Sequence, residues 1–176
     1  LKTFDQCPYI KEIVIPAAEY DISEIKQMVS TYNIHKVKAV VRGGKERQES
    51  VFLALRAVSP GIKKVVIHDG ARPLLTIQEL KSFLETAALY EAAVMAVKPK
   101  DTVKMVDQDS WVAETLVRDD LRAVQTPQFF DRVLLEKVHE IANQYGYLAT
   151  DDSSLLEWQG HKVKILPGSY ENIKVT

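Results

Sequence analysis

At 176 residues the chain suits a single domain, and a hydrophobic content of 46% allows a sizeable core, which excludes the disordered classes. Lys and Arg total 23 against 24 Asp and Glu, a formal net charge of -1. That balance excludes the broad basic face of a nucleic-acid or polyanion binder, though not a local basic pocket. The single cysteine, Cys7, leaves no intrachain disulfide and no cysteine-based zinc cluster, so a reducing, cytosol-like compartment is expected. No apolar run approaches the roughly 18 residues of a membrane span. The start, Leu1-Lys2-Thr3-Phe4-Asp5, has no signal-peptide pattern. A first residue of Leu and a last stretch of Lys174-Val175-Thr176 are expected of a piece of a longer protein.

In chain order, short apolar runs alternate with helical periodicity. Ile13-Val14-Ile15, Val37 to Val41, Val65-Val66-Ile67 and Ala93 to Val97 predict parallel strands buried on both faces. Between them, Ile22, Ile25 and Val29, then Val51, Leu55 and Val58, then Leu80, Phe83, Leu84, Ala87 and Ala88, recur at helical spacing. Beyond Pro99 the rhythm breaks. Thr102 to Val106 and Trp111 to Arg118 flank the polar turn Asp107-Gln108-Asp109-Ser110 and predict a β-hairpin, an arm over about residues 100–122. Such a ribbon either lies on its own domain or packs on a second subunit, since a lone hairpin is marginal in water. Thr126-Pro127-Gln128 is expected to break an extended run. Leu134, Val138, Ile141 and Tyr145 mark a helix stopped by Gly146, and Leu155 to Trp158 a shorter one. Strand–helix alternation with right-handed crossovers makes the fold α/β: one domain over residues 1–176, with a Rossmann-like, doubly wound, mostly parallel sheet.

Ligands of open α/β sheets bind beyond the carboxyl ends of the strands, and three polar segments stand there. Arg42-Gly43-Gly44-Lys45-Glu46-Arg47-Gln48-Glu49-Ser50 joins a strand to a helix. It is either a tight turn or a place where backbone N–H groups meet an anion or a carbonyl edge. It is neither GxGxxG nor a P-loop. His68-Asp69-Gly70-Ala71-Arg72-Pro73 follows the strand ending at Ile67. Asp69 there suits Mg²⁺, and Arg72 suits a phosphate, the bland alternative being a loop salt bridge or a helix cap. His68 is given a structural place and no role. Lys174, between Ile173 and Val175, is either an exposed strand lysine or a cation held for phosphate. Asp151, Asp152 and Ser153 suit helix capping. These features stop at an α/β domain that binds a phosphorylated small molecule.

Taken in order, the segments say more. Gly43-Gly44-x-Glu46-Arg47-x-x-Ser50-Val51, His68-Asp69-Gly70-Ala71-Arg72-Pro73, Lys100-Asp101-Thr102-Val103-Lys104, Arg118, Val124-Gln125-Thr126-Pro127-Gln128-Phe129-Phe130, Thr150-Asp151-Asp152-Ser153 and Asn172-Ile173-Lys174-Val175-Thr176 together resemble the 2-C-methyl-D-erythritol 4-phosphate cytidylyltransferases of the non-mevalonate isoprenoid pathway. The resemblance implies a homodimeric enzyme that joins CTP to methylerythritol phosphate and releases pyrophosphate with Mg²⁺. It would act in a bacterial cytoplasm or a plastid stroma, with no nucleic-acid or membrane partner. Gly43, Gly44, Lys45 and Ser50 then match the cytidine-binding turn, although Asp or Ala is common in the family where Lys45 stands. Asp69 and Arg72 match the substrate and metal side, and Thr126 and Thr150 match pocket threonines. Thr102 and Arg118 match residues that the arm delivers to the partner's site, and Arg118 with Lys174 positions the substrate phosphate. The family also opens with a strand and a glycine-rich loop carrying an arginine, followed by a lysine, and ends with a helix after the Lys174 segment. Neither stretch is present here. A sister cytidylyltransferase acting on a pentitol phosphate such as ribitol 5-phosphate, and a catalytically silent dimeric homologue, are the competing expectations.

Overall fold

Phe129 and Phe130 are neighbours in one strand and enter two different hydrophobic cores. In chain order, the computed structural model, which describes residues 1–175, contains α1 (Lys2–Gln6), β1 (Ile13–Ala17), α2 (Ile22–Thr31), β2 (Val37–Arg42), α3 (Arg47–Arg56), β3 (Lys64–Ile67), α4 (Ile77–Ala87) and β4 (Ala92–Val97). There follow β5 (Lys104–Val106), β6 (Val112–Thr115), β7 (Ala123–Asp131), α5 (Arg132–Tyr145), α6 (Asp152–Trp158) and β8 (Lys164–Pro167). Side chains alternate across a strand. Phe129 and Met95 therefore pack on Leu80, Phe83 and Leu84 of α4, while Phe130 and Ala92 pack on α3, α5 and α6 through Leu55, Leu135 and Leu155. Helices on both sheet faces make the fold doubly wound, as the alternation predicts.

The sheet order is β3-β7-β4-β8. β7 pairs antiparallel with both β3 and β4, and β8 pairs parallel with β4. Three of these four strands thus run one way, and β7, which lies between two of them, runs the other. That corrects the expected break at Thr126-Pro127-Gln128. The proline lies inside a nine-residue strand and is accommodated by a register shift against β4 between Val94 and Ala96, where pairing moves from Val94↔Gln128 to Ala96↔Val124. The Thr126–Pro127 peptide is cis.

A second departure concerns β1 and β2. They form their own parallel pair, and neither has a buried residue, so the expectation of strands covered on both faces fails there. A cleft of about 900 Å³ runs between this pair and the larger sheet, with Val14 and Pro16 on one wall, Val65 and Ile67 on the other, and Val51 and Leu55 of α3 beneath. The polar end of this cleft carries Arg47, Ser50, His68 and Asp69.

Helix limits follow local chemistry. Thr76 and Glu79 form a reciprocal capping box that starts α4. Gly146, at φ 62°, ends α5 in the left-handed conformation that glycine adopts freely. The buried face of α5 is Leu135, Val138, His139 and Ala142, one residue round from the expected stripe, and Tyr145 is exposed. The hairpin forms as β5 and β6, and every residue in both strands is exposed. The ribbon does not lie on its own domain.

Candidate active site

The turn after β2 is held in shape by its own side chains. The Gly44 N–H donates to Ser50 Oγ at 3.0 Å, Ser50 Oγ donates to the Glu46 carbonyl at 3.1 Å, and the Lys45 N–H donates to Glu49 Oε2 at 2.7 Å. A Cβ at Gly43 would stand 2.9 Å from Ser50 Oγ, and one at Gly44 would collide with the Glu49 side chain. Both glycines are therefore demanded by close approach. Ser50 shapes this turn through its hydroxyl, and the exposed Lys45 side chain stands at its rim.

β3 delivers Asp69 opposite that turn. The carboxylate is largely buried and lies between two cations: Arg47 Nε at 3.3 Å from Oδ1 and Lys174 Nζ at 3.3 Å from Oδ2. Burial pushes the Asp69 pKa up, but Arg47 and Lys174 outweigh it and leave the group below its usual range, so it is ionised at neutral pH. Its backbone N–H donates to Thr126 Oγ1 at 3.0 Å. The same hydroxyl lies 3.1 Å from His68 Nδ1, and His68 Nε2 lies 3.1 Å from the Arg72 carbonyl. A carbonyl only accepts, so Nε2 carries the proton, Nδ1 accepts from the Thr126 hydroxyl, and the threonine oxygen accepts from Asp69. Burial lowers the His68 pKa, in keeping with this neutral imidazole. His68 thus orients the loop that carries Asp69, a part that sequence reasoning gave it only as structural.

Lys174 reaches Asp69 from a segment that is not a strand, contrary to expectation. The tail turns at Ser169 to Ile173 and is held at points: the Val175 N–H donates to the Ala71 carbonyl at 2.8 Å, Arg72 Nη1 to the Asn172 carbonyl at 2.6 Å, and Asn172 Nδ2 to the Thr126 carbonyl at 2.9 Å. Arg72, expected to face a phosphate, here grips this tail. Thr126 is buried and bridges the Asp69 loop and the tail.

Thr150 lies before α6, with its hydroxyl 3.2 Å from Ser154 Oγ. Next to it, Asp151 caps that helix, accepting from the Ser154 N–H at 2.9 Å and from Gln128 Nε2 at 2.6 Å. Burial pushes the Asp151 carboxyl up, but the hydrogen bonds from Ser154, Gln128 and Ser153 win, and its pKa lies below the ordinary 3.8. The unfolded chain takes up this proton first as pH falls. The stabilisation is therefore complete above pH 3.8 and is lost as pH drops through the lower native value. An Asp151→Ala variant should cost about 1 kcal/mol at pH 7, measured by urea unfolding, and the gap to wild type should close in acid. A gap that stays constant down to about pH 2 would show that the capping carboxylate is not its source.

Two expected site residues stand elsewhere. Thr102 and Arg118 are exposed at the base of the hairpin, where Arg118 Nη1 donates to the Lys100 carbonyl at 3.0 Å. The structure thus brings together Asp69, Lys174, Thr126 and, through Arg47, the glycine turn. Among the described residues no group of three or more His, Cys, Asp or Glu is arranged to hold a metal, and no helix is long and apolar enough to cross a membrane.

Known proteins are similar to this chain over its full length. The family description 2-C-methyl-D-erythritol 4-phosphate cytidylyltransferase matches residues 1–176. The chain belongs to that family. It is a nucleotidyltransferase, and its reaction is cytidylyl transfer from CTP to 2-C-methyl-D-erythritol 4-phosphate in isoprenoid biosynthesis. A cytidylyltransferase of this name from Halalkalibacterium halodurans is 48% identical over 177 residues, covering 100% of this chain and 76% of the relative. One from Pelotomaculum thermopropionicum is 44% identical, covering 100% and 74%. In three dimensions the chain is similar to the 4-diphosphocytidyl-2C-methyl-D-erythritol synthase of Anaerococcus prevotii, with a TM-score of 0.92 at 33% identity, covering 99% of this chain and 77% of that one. Family membership favours the methylerythritol substrate over the pentitol phosphate.

Proposed function

We propose that the polar end of the cleft, lined by Arg47, Ser50, His68 and Asp69 and reached by Lys174 through its 3.3 Å contact with Asp69 Oδ2, is the site of cytidylyl transfer. The cytidine end of CTP lies against Gly43, Gly44, Lys45 and Ser50, where the N–H groups of Gly43, Gly44 and Lys45 are held by Ala17, Ser50 and Glu49 and the C=O groups of the turn meet the base edge. A phosphate oxygen of methylerythritol phosphate attacks the α-phosphorus in line, and the bond to the pyrophosphate oxygen breaks. Two anions must meet for this, so fixed cations at the meeting point account for much of the rate. Lys174 supplies a compact charge and Arg118 a planar fork. Asp69 holds Lys174 in place until the substrate phosphate takes it over. Arg72, Thr126 and Thr150 support this wall of the pocket, and Thr102 enters with Arg118.

The donor set present fits Mg²⁺, which takes one or two carboxylates and fills its shell with water and substrate phosphate; Asp69 offers that one carboxylate. When bound there, Mg²⁺ would neutralise charge on the triphosphate.

Arg118 makes its side-chain hydrogen bond at the arm's own base, and the arm carries exposed Met105, Val106, Trp111 and Val112. An apolar ribbon in water is stabilised by being covered. These observations support a homodimer in which each arm crosses to the partner and places Arg118 and Thr102 in the partner's site. The relatives named above are bacterial, which supports a bacterial cytoplasm over a plastid.

Pyrophosphate release from CTP is the test. It should depend on methylerythritol phosphate, stop with a chelator, resume with Mg²⁺, and run poorly with ribitol 5-phosphate. Preference for the pentitol would overturn the substrate, and silence of the full-length protein with both would establish a retired enzyme.

A further inference from the structure

Arg47 is left without a part by the roles above, yet it makes the shortest charged contact near the site. It opens α3, with Nε 3.3 Å from Asp69 Oδ1 and Nη1 2.7 Å from Asp152 Oδ2. The Asp152 side chain is 1% exposed. A buried carboxylate stripped of its cation is strongly disfavoured, so Asp152 keeps the guanidinium where it is. A guanidinium is a rigid plane with donors in set directions. With Nη1 on Asp152, the same rigid plane carries Nε toward Asp69 Oδ1.

Asp152 is in turn immobile. It is the first residue of α6, behind the Asp151 cap, and His139 Nε2 lies 3.2 Å from its other oxygen, too poorly aligned for a hydrogen bond. The fully buried imidazole of His139 stacks on Phe52, with centroids 5.9 Å apart and planes at 17°. Asp152, Arg47, Asp69 and Lys174 therefore form one line of alternating charge from the core to the cleft. The two cations on Asp69 differ in kind: Lys174 is half-exposed on the tail, whereas Arg47 is anchored. When Lys174 turns to a phosphate, Arg47 is the partner that stays.

We propose that Arg47, anchored by Asp152, is a positioning residue that holds the Asp69 carboxylate in place while Lys174 leaves it for the substrate phosphate. This rests on Asp69 and Lys174 being in the site. The opposing reading is a tie between α3 and α6 that affects stability alone.

A double-mutant cycle in the full-length enzyme separates the two. Arg47→Lys keeps the charge but loses the planar fork whose Nε and Nη1 meet the two carboxylates. It should lower kcat/KM for methylerythritol phosphate by about 10- to 100-fold, as a misplaced group does, with KM for CTP nearly unchanged. Asp152→Asn, which keeps size and shape, should act in the same direction and serves should Arg47→Lys fail to fold. In an Asp69→Asn background, adding either change should weaken binding of the cytidylylated product, read by calorimetry, no further than Asp69→Asn does alone. Equal losses in both backgrounds, or a lowered Tm with unchanged kcat/KM, would overturn the proposal while leaving Asp69 in the site. Wild-type turnover in Asp69→Asn would instead remove Asp69 from the site, and the role of Arg47 with it.

Discussion

Lys174→Met should lower turnover by about 100- to 1,000-fold, the loss that follows removal of one charge stabiliser from a transition state. The size of the effect follows from where the charge sits. Lys174 is half-exposed, belongs to no strand, and makes its charged contact with Asp69. Its methylenes support no core, so the variant should unfold within about 0.5 kcal/mol of wild type. Asp69 keeps Arg47 when Lys174 is gone, so its carboxylate is not left bare. Loss should therefore appear in kcat and in KM for methylerythritol phosphate, with CTP binding little altered, because the turn proposed for cytidine is held by its own Ser50 and Glu49 hydrogen bonds. Steady-state rates at varied concentrations of each substrate check this. Wild-type kinetics would take Lys174 out of the site.

Arg118→Met should cost a similar factor, and here the partner subunit supplies the more informative result. If the arm acts across a two-fold axis, each site takes Lys174 from one protomer and Arg118 from the other. Mixing Arg118→Met with Lys174→Met subunits then gives heterodimers in which one site has both residues and the other has neither. Random association makes half the dimers mixed with one of two sites intact, about a quarter of wild-type activity. Sites built within one subunit would give no rescue, since every site would carry one lesion. Rate measurements on mixtures whose heterodimer content is verified distinguish the two outcomes.

Local patterns gave α4 and α5 because their starts and stops are chemical: a Thr76–Glu79 box at one end, Gly146 at another. β7 was illegible for the same reason in reverse. Pro127 is a strong local breaker, and only the register shift in β4, a tertiary feature, shows how a central strand holds it. The site divides likewise. Asp69 and Lys174 stand out by position after a strand and in an apolar tail, and they do meet. Asp152 does not stand out, because an acid at the start of a helix looks like a cap, and nothing in Asp151-Asp152 says that the second is buried against an arginine from 105 residues away. Arg47 was visible within its motif, but its part depends on that hidden partner. Arg72 illustrates the converse: a fork placed well for phosphate by spacing is turned onto the Asn172 carbonyl.

The chain has two tryptophans, and the fold treats them oppositely. Trp158 stacks on Tyr147, centroids 4.2 Å apart, within α6. Trp111 ends the hairpin turn at 74% exposure. Indole emission responds to the polarity around the ring, so Trp111 answers chiefly to whatever touches the arm, while Trp158, 36% exposed, keeps its Tyr147 stack. A shift of Trp111 emission with protein concentration would report cover over the arm, with no label attached.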